Sequence, residues 1–319
     1  MKMIGVPTIF AAALGAVALV FAAPRPAFAV DASDGESSSS GPSHGDDDNR
    51  RDNDDDDDDG KADARAAGDN TQATLAVKGP IVFRIEAQSG DVELVGTNAP
   101  QVHVRLEGTH SSHAMELIQR GDRVEVRFGD HRQLRRGHLR VEVPLASGAE
   151  LTTMSGDVEV TGISGELSVR TLSGDIHIKD VGNTDVESVS GDVTLEGVKG
   201  KLRVHTVSGD AKIQSAQAVG QLAFESTSGG LKWSGACGKD CHLSAETVSG
   251  DVRWSLDPKS SFDLSFGSHS GDLEDKLDMQ IRHQHQHKGS GGWSEAVYGK
   301  GEGVIECDTF SGDVTVEKR

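Results

Sequence analysis

The chain has 319 residues and a formal net charge of −19. This charge excludes nucleic acid and anionic membrane surfaces as main partners, because both repel a net-acidic protein. Aromatic residues make up 4% of the chain, which has 39 glycines and three cysteines. We therefore expect a thin aliphatic core with many tight turns, and not a disulfide scaffold.

The first 29 residues have the pattern of a secretory signal peptide. Lys2 precedes an apolar run that ends at Pro24 and Pro26, and residues 27–29 read Ala-Phe-Ala, the small-x-small sequence that signal peptidase recognises. The alternative is an uncleaved membrane anchor, since a run of about 21 apolar residues can span a bilayer. Cleavage after Ala29 predicts an exported mature chain with no transmembrane segment, located in the periplasm, outside the cell or at the cell surface.

Residues 30–70 are predicted to be a disordered acidic linker. From residue 31 to residue 70 there are 15 Asp and Glu against four Lys and Arg, including the unbroken run from Asp54 to Asp59. Such a segment buries too little apolar surface to offset the entropy lost on ordering. We interpret it as a solvated tether, with calcium collection as the alternative.

The rest of the chain carries a tandem repeat. The tripeptide Ser-Gly-Asp recurs, with Ser228-Gly229-Gly230 as a degenerate copy, and from Ser155 to Ser270 successive copies begin 17 to 21 residues apart. The interval of 66 residues before Ser155 would hold about three repeats, and the interval of 41 residues after Ser270 about two. Further copies stand at 89–91 and 270–272. The copies that define the structural corner motif are Ser155, Gly156, Asp157, Ser173, Gly174, Asp175, Ser190, Gly191, Asp192, Ser208, Gly209, Asp210, Ser249, Gly250, Asp251, Ser311, Gly312 and Asp313.

Each corner lies between two runs of alternating apolar residues, as in 167–171 before Ser173 and 176–178 after it. A period of two predicts strands. Two short strands cannot bury their apolar side alone, but stacked copies can. The predicted fold is therefore all-β, a single-stranded β-solenoid (β-helix) of ~18–21-residue Ser-Gly-Asp repeats over residues 148–319. An antiparallel sandwich or barrel is the alternative, although it gives no reason for one tripeptide to recur in one register.

Residues 71–147 fit the repeat less well. One coil is clear around Ser89, but the alternating runs at 102–106, 124–128 and 139–143 lack the corner tripeptide. We expect longer strands there, in an atypical N-terminal capping β region that hides one end of the stack. The last copy, at Ser311, is expected near the free C-terminal end.

A family resemblance rests on three features: the run from Pro144 to Val158, the repeated Thr-x-Ser-Gly-Asp-Ile/Val corners, and the closing sequence from Cys307 to Val314. These resemble the bacterial β-strand-repeat “putative adhesin” family, over about residues 75–319. The resemblance implies an exported, non-enzymatic envelope protein with a domain of unknown function. The expected function is a binding, adhesin-like or scaffold module, whose partner is an envelope or surface component, protein or polysaccharide.

Two other hypotheses use the corner aspartates. Stacked at ~4.8 Å, these carboxylates would repel one another unless backbone N–H groups or Ca²⁺ compensate them. We expect no cofactor, with Ca²⁺ at these corners as the alternative. The alternative function is a metal-binding periplasmic accessory protein, for Ca²⁺ or a transition metal, that uses the Asp run at 54–59 or the histidine-rich stretch at 283–287. A polysaccharide-active enzyme could use paired carboxylates as acid and base. An aspartate at the same place in nearly every coil favours a structural role instead, so we expect no enzymatic activity and assign no catalytic residue.

A histidine-rich stretch is a candidate transition-metal site. His283, His285 and His287 alternate, so on a strand they would share one face. The alternative is a polar loop inserted into the long interval after Ser270.

A basic run stands out in the acidic chain. Arg132, Arg135, Arg136 and Arg140 could bind phosphate or carboxylate groups of envelope polymers. The alternative is a solvated hairpin tip.

The cysteines divide into a pair and a single residue. Cys237 and Cys241 are close enough in sequence for a small disulfide loop in an oxidising compartment. Cys307 stands at an inward position of its repeat, which predicts a buried free thiol.

Overall fold

The computed structural model describes residues 62–69, 71–108, 115–128, 133–134, 136–214, 220–286 and 292–319. The predicted signal peptide and most of the predicted linker lie outside the described residues. Within these ranges the chain forms β-strands, and no helix is long and apolar enough to cross a membrane.

The strands fall into three groups along the chain. The N-terminal group is β1 (Ala64–Ala67), β2 (Gln72–Ala76), β3 (Val82–Ala87), β4 (Asp91–Thr97), β5 (Gln101–Glu107), β6 (Met115–Arg120), β7 (Arg123–Phe128), β8 (Gln133–Leu134) and β9 (His138–Pro144). The middle group is β10 (Gly148–Thr153), β11 (Val158–Thr161), β12 (Leu167–Ser173), β13 (Ile176–Lys179), β14 (Thr184–Ser190), β15 (Val193–Glu196), β16 (Lys201–Ser208), β17 (Ala211–Gln214), β18 (Gln221–Ser228), β19 (Leu231–Gly235), β20 (His242–Ser249) and β21 (Val252–Leu256). The C-terminal group is β22 (Phe262–Ser268), β23 (Leu273–Asp275), β24 (Gln280–Gln286), β25 (Gly292–Tyr298), β26 (Gly303–Ser311) and β27 (Val314–Lys318).

Each repeat contributes one strand to each of two sheets, and we name each coil by its corner serine. In the first sheet β12 pairs in parallel with β10 and β14, and in the second sheet β13 pairs in parallel with β11 and β15. Equivalent residues stand in register, so that Val169 lies opposite Leu151 and Val186. The same position of every repeat therefore forms a row along the stack. This arrangement confirms the predicted β-solenoid.

The interior between the two sheets is filled by rows of inward side chains. Val169, Val186 and Val204 are adjacent members of one row and are fully buried. Each such side chain stabilises the fold by about 1.5–3 kcal/mol relative to an exposed one. A row of the second sheet contains Trp233 and Trp254, whose ring centroids are 5.8 Å apart. The core is otherwise mainly aliphatic, as the low aromatic content predicted.

At the C-terminal end, the order of coils in the stack differs from their order in the sequence. Strand β26 lies between β20 and β22, and β27 lies between β21 and β23. The Ser311 coil is thus enclosed by the Ser249 and Ser270 coils, and the expectation that it stands near the free end is wrong. The reason is the antiparallel hairpin β24–β25, which extends the first sheet beyond β22 and occupies much of the interval expected to hold two repeats.

A similar exchange occurs in the N-terminal part. Strands β7 and β8 pair in parallel with β3, and β9 pairs in parallel with β4. Residues 123–144 therefore form a coil outside the Ser89 coil, although they follow it in sequence. Two coils of the stack lie within the range expected to be a cap. The interval from Ser89 to Ser155 therefore holds two coils, the Ser89 coil and one more, instead of the expected three.

Antiparallel strands cover this end of the stack. Strands β6 and β1 continue the first sheet, and β5 and β2 continue the second. Strand β1 lies within the range predicted to be a disordered linker, so that boundary was placed too late. The physical reason is burial, because Ala64 and Ala66 pack against the core on one side of β1.

Candidate functional site

The glycines of the corner lie directly above one another. At Gly174 and Gly191 the backbone φ is +120° and +124°, a region that favours glycine. A Cβ added at Gly191 would also overlap the carbonyl oxygen of Gly174. The stack of corner glycines runs through Gly137, Gly90, Gly156, Gly174, Gly191, Gly209, Gly229, Gly250, Gly312 and Gly271. Gly137 takes this place without a Ser-Gly-Asp sequence around it, which is why the sequence pattern missed its coil.

The corner aspartates connect neighbouring coils. Oδ1 of Asp175 accepts a hydrogen bond from the backbone N–H of Asp192 at 2.9 Å, and Oδ1 of Asp192 accepts one from Asp210 at 2.9 Å. Where Gly230 replaces the aspartate, its N–H still donates to Asp210, also at 2.9 Å. The same bond recurs at Asp91, Asp157, Asp251 and Asp313. Backbone N–H groups of the next coil thus provide a compensation that a stack of carboxylates needs.

Along the stack from the Ser155 coil to the Ser311 coil, the residue before each corner serine is half-buried or exposed, and it is apolar in all of these coils but one. We call this set the apolar row, and it consists of Met154, Leu172, Val189, Val207, Thr227, Val248 and Phe310. Phe310 is 42% exposed, and the ring of His269 from the Ser270 coil stacks on it with centroids 4.6 Å apart. Our sequence reasoning missed this row. An apolar residue at the solvent-facing position of an alternating strand is the signal that would have found it.

A second outward row lies two residues before the apolar row, on the same face of the first sheet. In the C-terminal coils it consists of Glu225, Glu246 and Asp308, which stand in register, and we call these three the acidic row. Burial raises the pKa of Glu246, and the charges of Glu225, Asp308 and Glu306 raise it further. Burial, and then Glu306, raise the pKa of Asp308. The charged neighbours that shift these two pKa values are all negative, so this surface favours cations.

Trp293 lies beyond one end of the acidic row. Gly267 stands opposite Asp308 on one side and opposite Trp293 on the other. Trp293 is 43% exposed, whereas the other two tryptophans of the chain are buried. His283 of β24 stacks on the indole with centroids 6.4 Å apart. Because Gly267 has no side chain, β22 does not cover the indole at that position.

Strand β24 contains two of the three histidines predicted as metal ligands. His283 pairs opposite Glu295 and His285 opposite Trp293, and both histidines are exposed. The alternative of a polar loop is wrong for residues 280–286, because they pair with β25. His287 lies outside the described residues. In the part of the chain that the structure describes, no three His, Cys, Asp or Glu side chains are grouped to hold a metal ion.

The predicted anion-binding arginines do not share one environment. Arg132 and Arg135 lie outside the described residues, and Arg136 is exposed. Arg140 lies on β9, where its Nη1 donates to both carboxylate oxygens of Glu93, at 2.6 and 2.7 Å. This pair neutralises the charge of Arg140 within the chain. Arg140 is therefore neither at a hairpin tip nor a free anion ligand.

The cysteines have structural environments. Cys237 and Cys241 form a buried disulfide between β19 and β20, and the N–H of Ser261 donates to the carbonyl oxygen of Cys237 at 2.8 Å. Cys307 is a free thiol in the buried row that contains Ala245. Burial raises the pKa of the Cys307 thiol, which keeps it protonated and unreactive.

The stacked coils and their recurring corner agree with one known family. The family model described as Toastrack DUF4097 matches residues 82–317. The chain belongs to the Toastrack DUF4097 family. The match extends from β3 into β27, so it covers the parallel coils and leaves β1 and β2 outside. The Toastrack domain is a domain of unknown function.

Among solved structures, the chain is similar to a “putative cell adhesion protein” from Clostridium sporogenes. The two share 10% sequence identity, the match covers 78% of this chain and 99% of that chain, and the TM-score is 0.22. So loose a superposition says nothing about the function of this Toastrack protein. No curated protein matches the sequence.

Proposed function

We propose that this Toastrack protein is an exported, non-enzymatic binding or scaffold module of the cell envelope. The observation that carries the proposal is the shared role of the corner aspartates: apart from Asp272, each accepts a hydrogen bond from a backbone N–H of the next coil. An acid–base pair needs two carboxylates in different environments, one protonated and one ionised. Equivalent carboxylates that hold coils together instead support a rigid stack whose outward rows are open to a partner.

In one cleft of the described surface, corner aspartates also have a structural role. A cleft of about 490 Å³ between β21, β23 and β27 is lined by carboxylates that include Asp251, Asp272 and Asp313. Oδ1 of Asp251 accepts from the N–H of Asp313, and Oδ1 of Asp313 accepts from the N–H of Asp272, both at 2.9 Å. Two of these carboxylates therefore already take part in coil stacking.

Export is supported by two independent features. Residues 1–29 have the signal-peptide pattern, and the Cys237–Cys241 disulfide is of a kind that persists in oxidising compartments. To test export, the full-length chain is expressed in a bacterial host, the cells are fractionated, and the N-terminus of the recovered protein is sequenced. We expect an N-terminus at Val30 outside the cytoplasm. An intact chain confined to the cytoplasm would contradict export.

Binding is tested separately on the purified protein. Isolated envelope protein and polysaccharide fractions are titrated against it, and saturable binding to one of them is expected. The same polysaccharides are incubated with the protein and assayed for new reducing ends, and we expect none above a heat-denatured control. Release of reducing ends would contradict a non-enzymatic function, and the lack of any saturable binding would contradict a binding module.

A further inference from the structure

The acidic row carries negative charge that the chain does not neutralise with Lys or Arg. Among the described residues, the ion-pair partners on this surface are histidines: His205 contacts Glu225 at 3.3 Å, and His242 contacts Glu306 at 3.5 Å. These histidines carry charge only when protonated. In the same described part of the chain, no Lys or Arg lies within ion-pair distance of Glu246 or Asp308. The carboxylates of Glu246 and Asp308 can therefore pair with a positively charged partner.

This excess of charge is confined to the C-terminal coils. In the Ser173 and Ser190 coils, the same outward row contains Arg170 and Glu187, which form an ion pair at 3.2 Å. The charge of the row is therefore neutralised in those two coils. From the Ser228 coil to the Ser311 coil the row contains carboxylates alone. The surface thus selects a cationic ligand at one end of the stack and not along its whole length.

The apolar row runs alongside the acidic row. The two rows are separated by two residues along each parallel strand, about 6.6 Å, and successive coils are about 4.8 Å apart. Beside the three carboxylates the apolar row contributes Val248 and Phe310, which are 38% and 42% exposed. Side chains of this size are costly to leave in water and gain free energy when a partner covers them.

We propose that the acidic row and the apolar row together bind one extended polypeptide segment in which cationic and apolar residues alternate. In an extended segment, successive side chains point to opposite sides. A segment that lies along the stack therefore places its cationic side chains over the acidic row and its apolar side chains over the apolar row. Trp293 extends the acidic row, and its exposed indole takes a further cationic side chain through a cation–π contact.

This inference rests on the proposed function and names the class of partner. A purely cationic polymer would use the acidic row and leave Val248 and Phe310 in water. An apolar surface such as a second copy would cover those two side chains and leave the carboxylates unpaired. The alternating segment contacts both rows at once, because it presents cationic side chains on one side and apolar side chains on the other.

The test compares two peptides of identical composition. The full-length protein is titrated with an alternating Lys-Val octapeptide and with its block isomer, in which the lysines precede the valines. Binding is followed by the fluorescence of Trp293, the one exposed tryptophan of the three in the chain, and the variant Trp293→Phe identifies its signal. We expect the alternating peptide to bind about tenfold more tightly than the block isomer.

Matched variants locate the binding surface. Glu246→Gln combined with Asp308→Asn should weaken the alternating peptide by about fivefold. Phe310→Ser should weaken it by a similar factor, because an apolar contact is lost. The control, Glu159→Gln combined with Glu196→Gln, removes the same charge from the outward face of the second sheet and should leave affinity unchanged. Far-UV circular dichroism and thermal melting establish that every variant is folded.

Three outcomes would overturn the inference. The first is equal affinity for the two isomers, which would mean that a simple polycation is bound. The second is an unchanged affinity in the Glu246→Gln, Asp308→Asn variant. The third is self-association of the full-length protein that this variant abolishes in sedimentation velocity, which would make a second copy the occupant. If any of these results is obtained while the protein still binds an envelope fraction saturably, the peptide-binding surface is refuted and the proposed binding function stands. If no envelope fraction is bound, the proposed function itself fails.

Discussion

The stack of corner glycines gives the most direct test of the architecture. At Gly191 an added Cβ meets two separate obstacles, a φ of +124° and overlap with the carbonyl oxygen of Gly174. A non-glycine residue at such a φ costs about 1–2 kcal/mol. Overpacking against backbone that cannot retreat costs about 1–3 kcal/mol. If the two costs add, Gly191→Ala should lower the free energy of unfolding by about 2–5 kcal/mol.

Three other glycines separate these contributions. Gly79 has a φ of +86° and open space around its Cβ position, so Gly79→Ala should cost only the backbone strain, about 1 kcal/mol. Gly250 lacks the positive φ, but its Cβ would overlap the carbonyl oxygen of Gly229, so Gly250→Ala should cost about 1–3 kcal/mol. Gly220 has neither obstacle, and Gly220→Ala should change stability by less than about 0.5 kcal/mol.

Urea unfolding of the full-length protein measures all four variants, and the slope of the transition should stay constant if only stability changes. If Gly250→Ala is as mild as Gly220→Ala, neighbouring coils do not press on one another at the corner and the steric cost at Gly191 is wrong. It is also refuted if Gly191→Ala costs no more than Gly79→Ala. In that case the corner glycine would serve only its own turn.

Three further changes probe single interactions. Asp192→Asn keeps the acceptor for the N–H of Asp210 and removes a stacked charge, so it should leave the free energy of unfolding unchanged within about 0.5 kcal/mol. Asp192→Ala removes the acceptor and should lower the free energy of unfolding by about 1 kcal/mol. Equal urea midpoints for the two variants would contradict the role of Asp192 as a hydrogen-bond acceptor between coils. Replacing Cys237 and Cys241 together by Ala should cost about 2 kcal/mol, because a short loop is no longer closed; a reductant should lower the melting temperature of the parent protein and not of the variant. Asp308→Asn should raise stability at neutral pH by at most about 0.5 kcal/mol, since it removes an exposed, solvent-screened charge that stands beside other carboxylates. Because the pKa of Asp308 is raised in the folded state, the stability gained by the substitution should shrink as the pH falls through the raised pKa and disappear below the ordinary value of 3.8. A gain in stability that persists in acid would show that the charge of Asp308 is not its cause.

Much of the corner could be predicted from the sequence, because its causes are local. A glycine between Ser and Asp at one register in repeat after repeat, such as Gly174 and Gly191, requires a repeated backbone geometry. The hydrogen bond that a corner aspartate accepts from the neighbouring coil could not be predicted in the same way. The sequence offered backbone N–H groups and Ca²⁺ as two ways to compensate the charge, and only the stacking of Asp175 beside Asp192 brings the N–H within 2.9 Å.

The strands, their inward and outward faces and the two-strand coil could be predicted from the sequence, because the alternation of apolar residues and the tight corner act within one repeat. The order in which the coils stack could not, because it depends on pairing between distant strands. Strands with the same period can pair equally well in several orders, and the hairpin β24–β25 returns the chain so that β26 inserts beside β20. That insertion places Asp308 next to Glu246 and Phe310 near Val248. The two rows of the candidate surface exist because hydrogen bonds between coils, and not proximity along the chain, set the order of the stack.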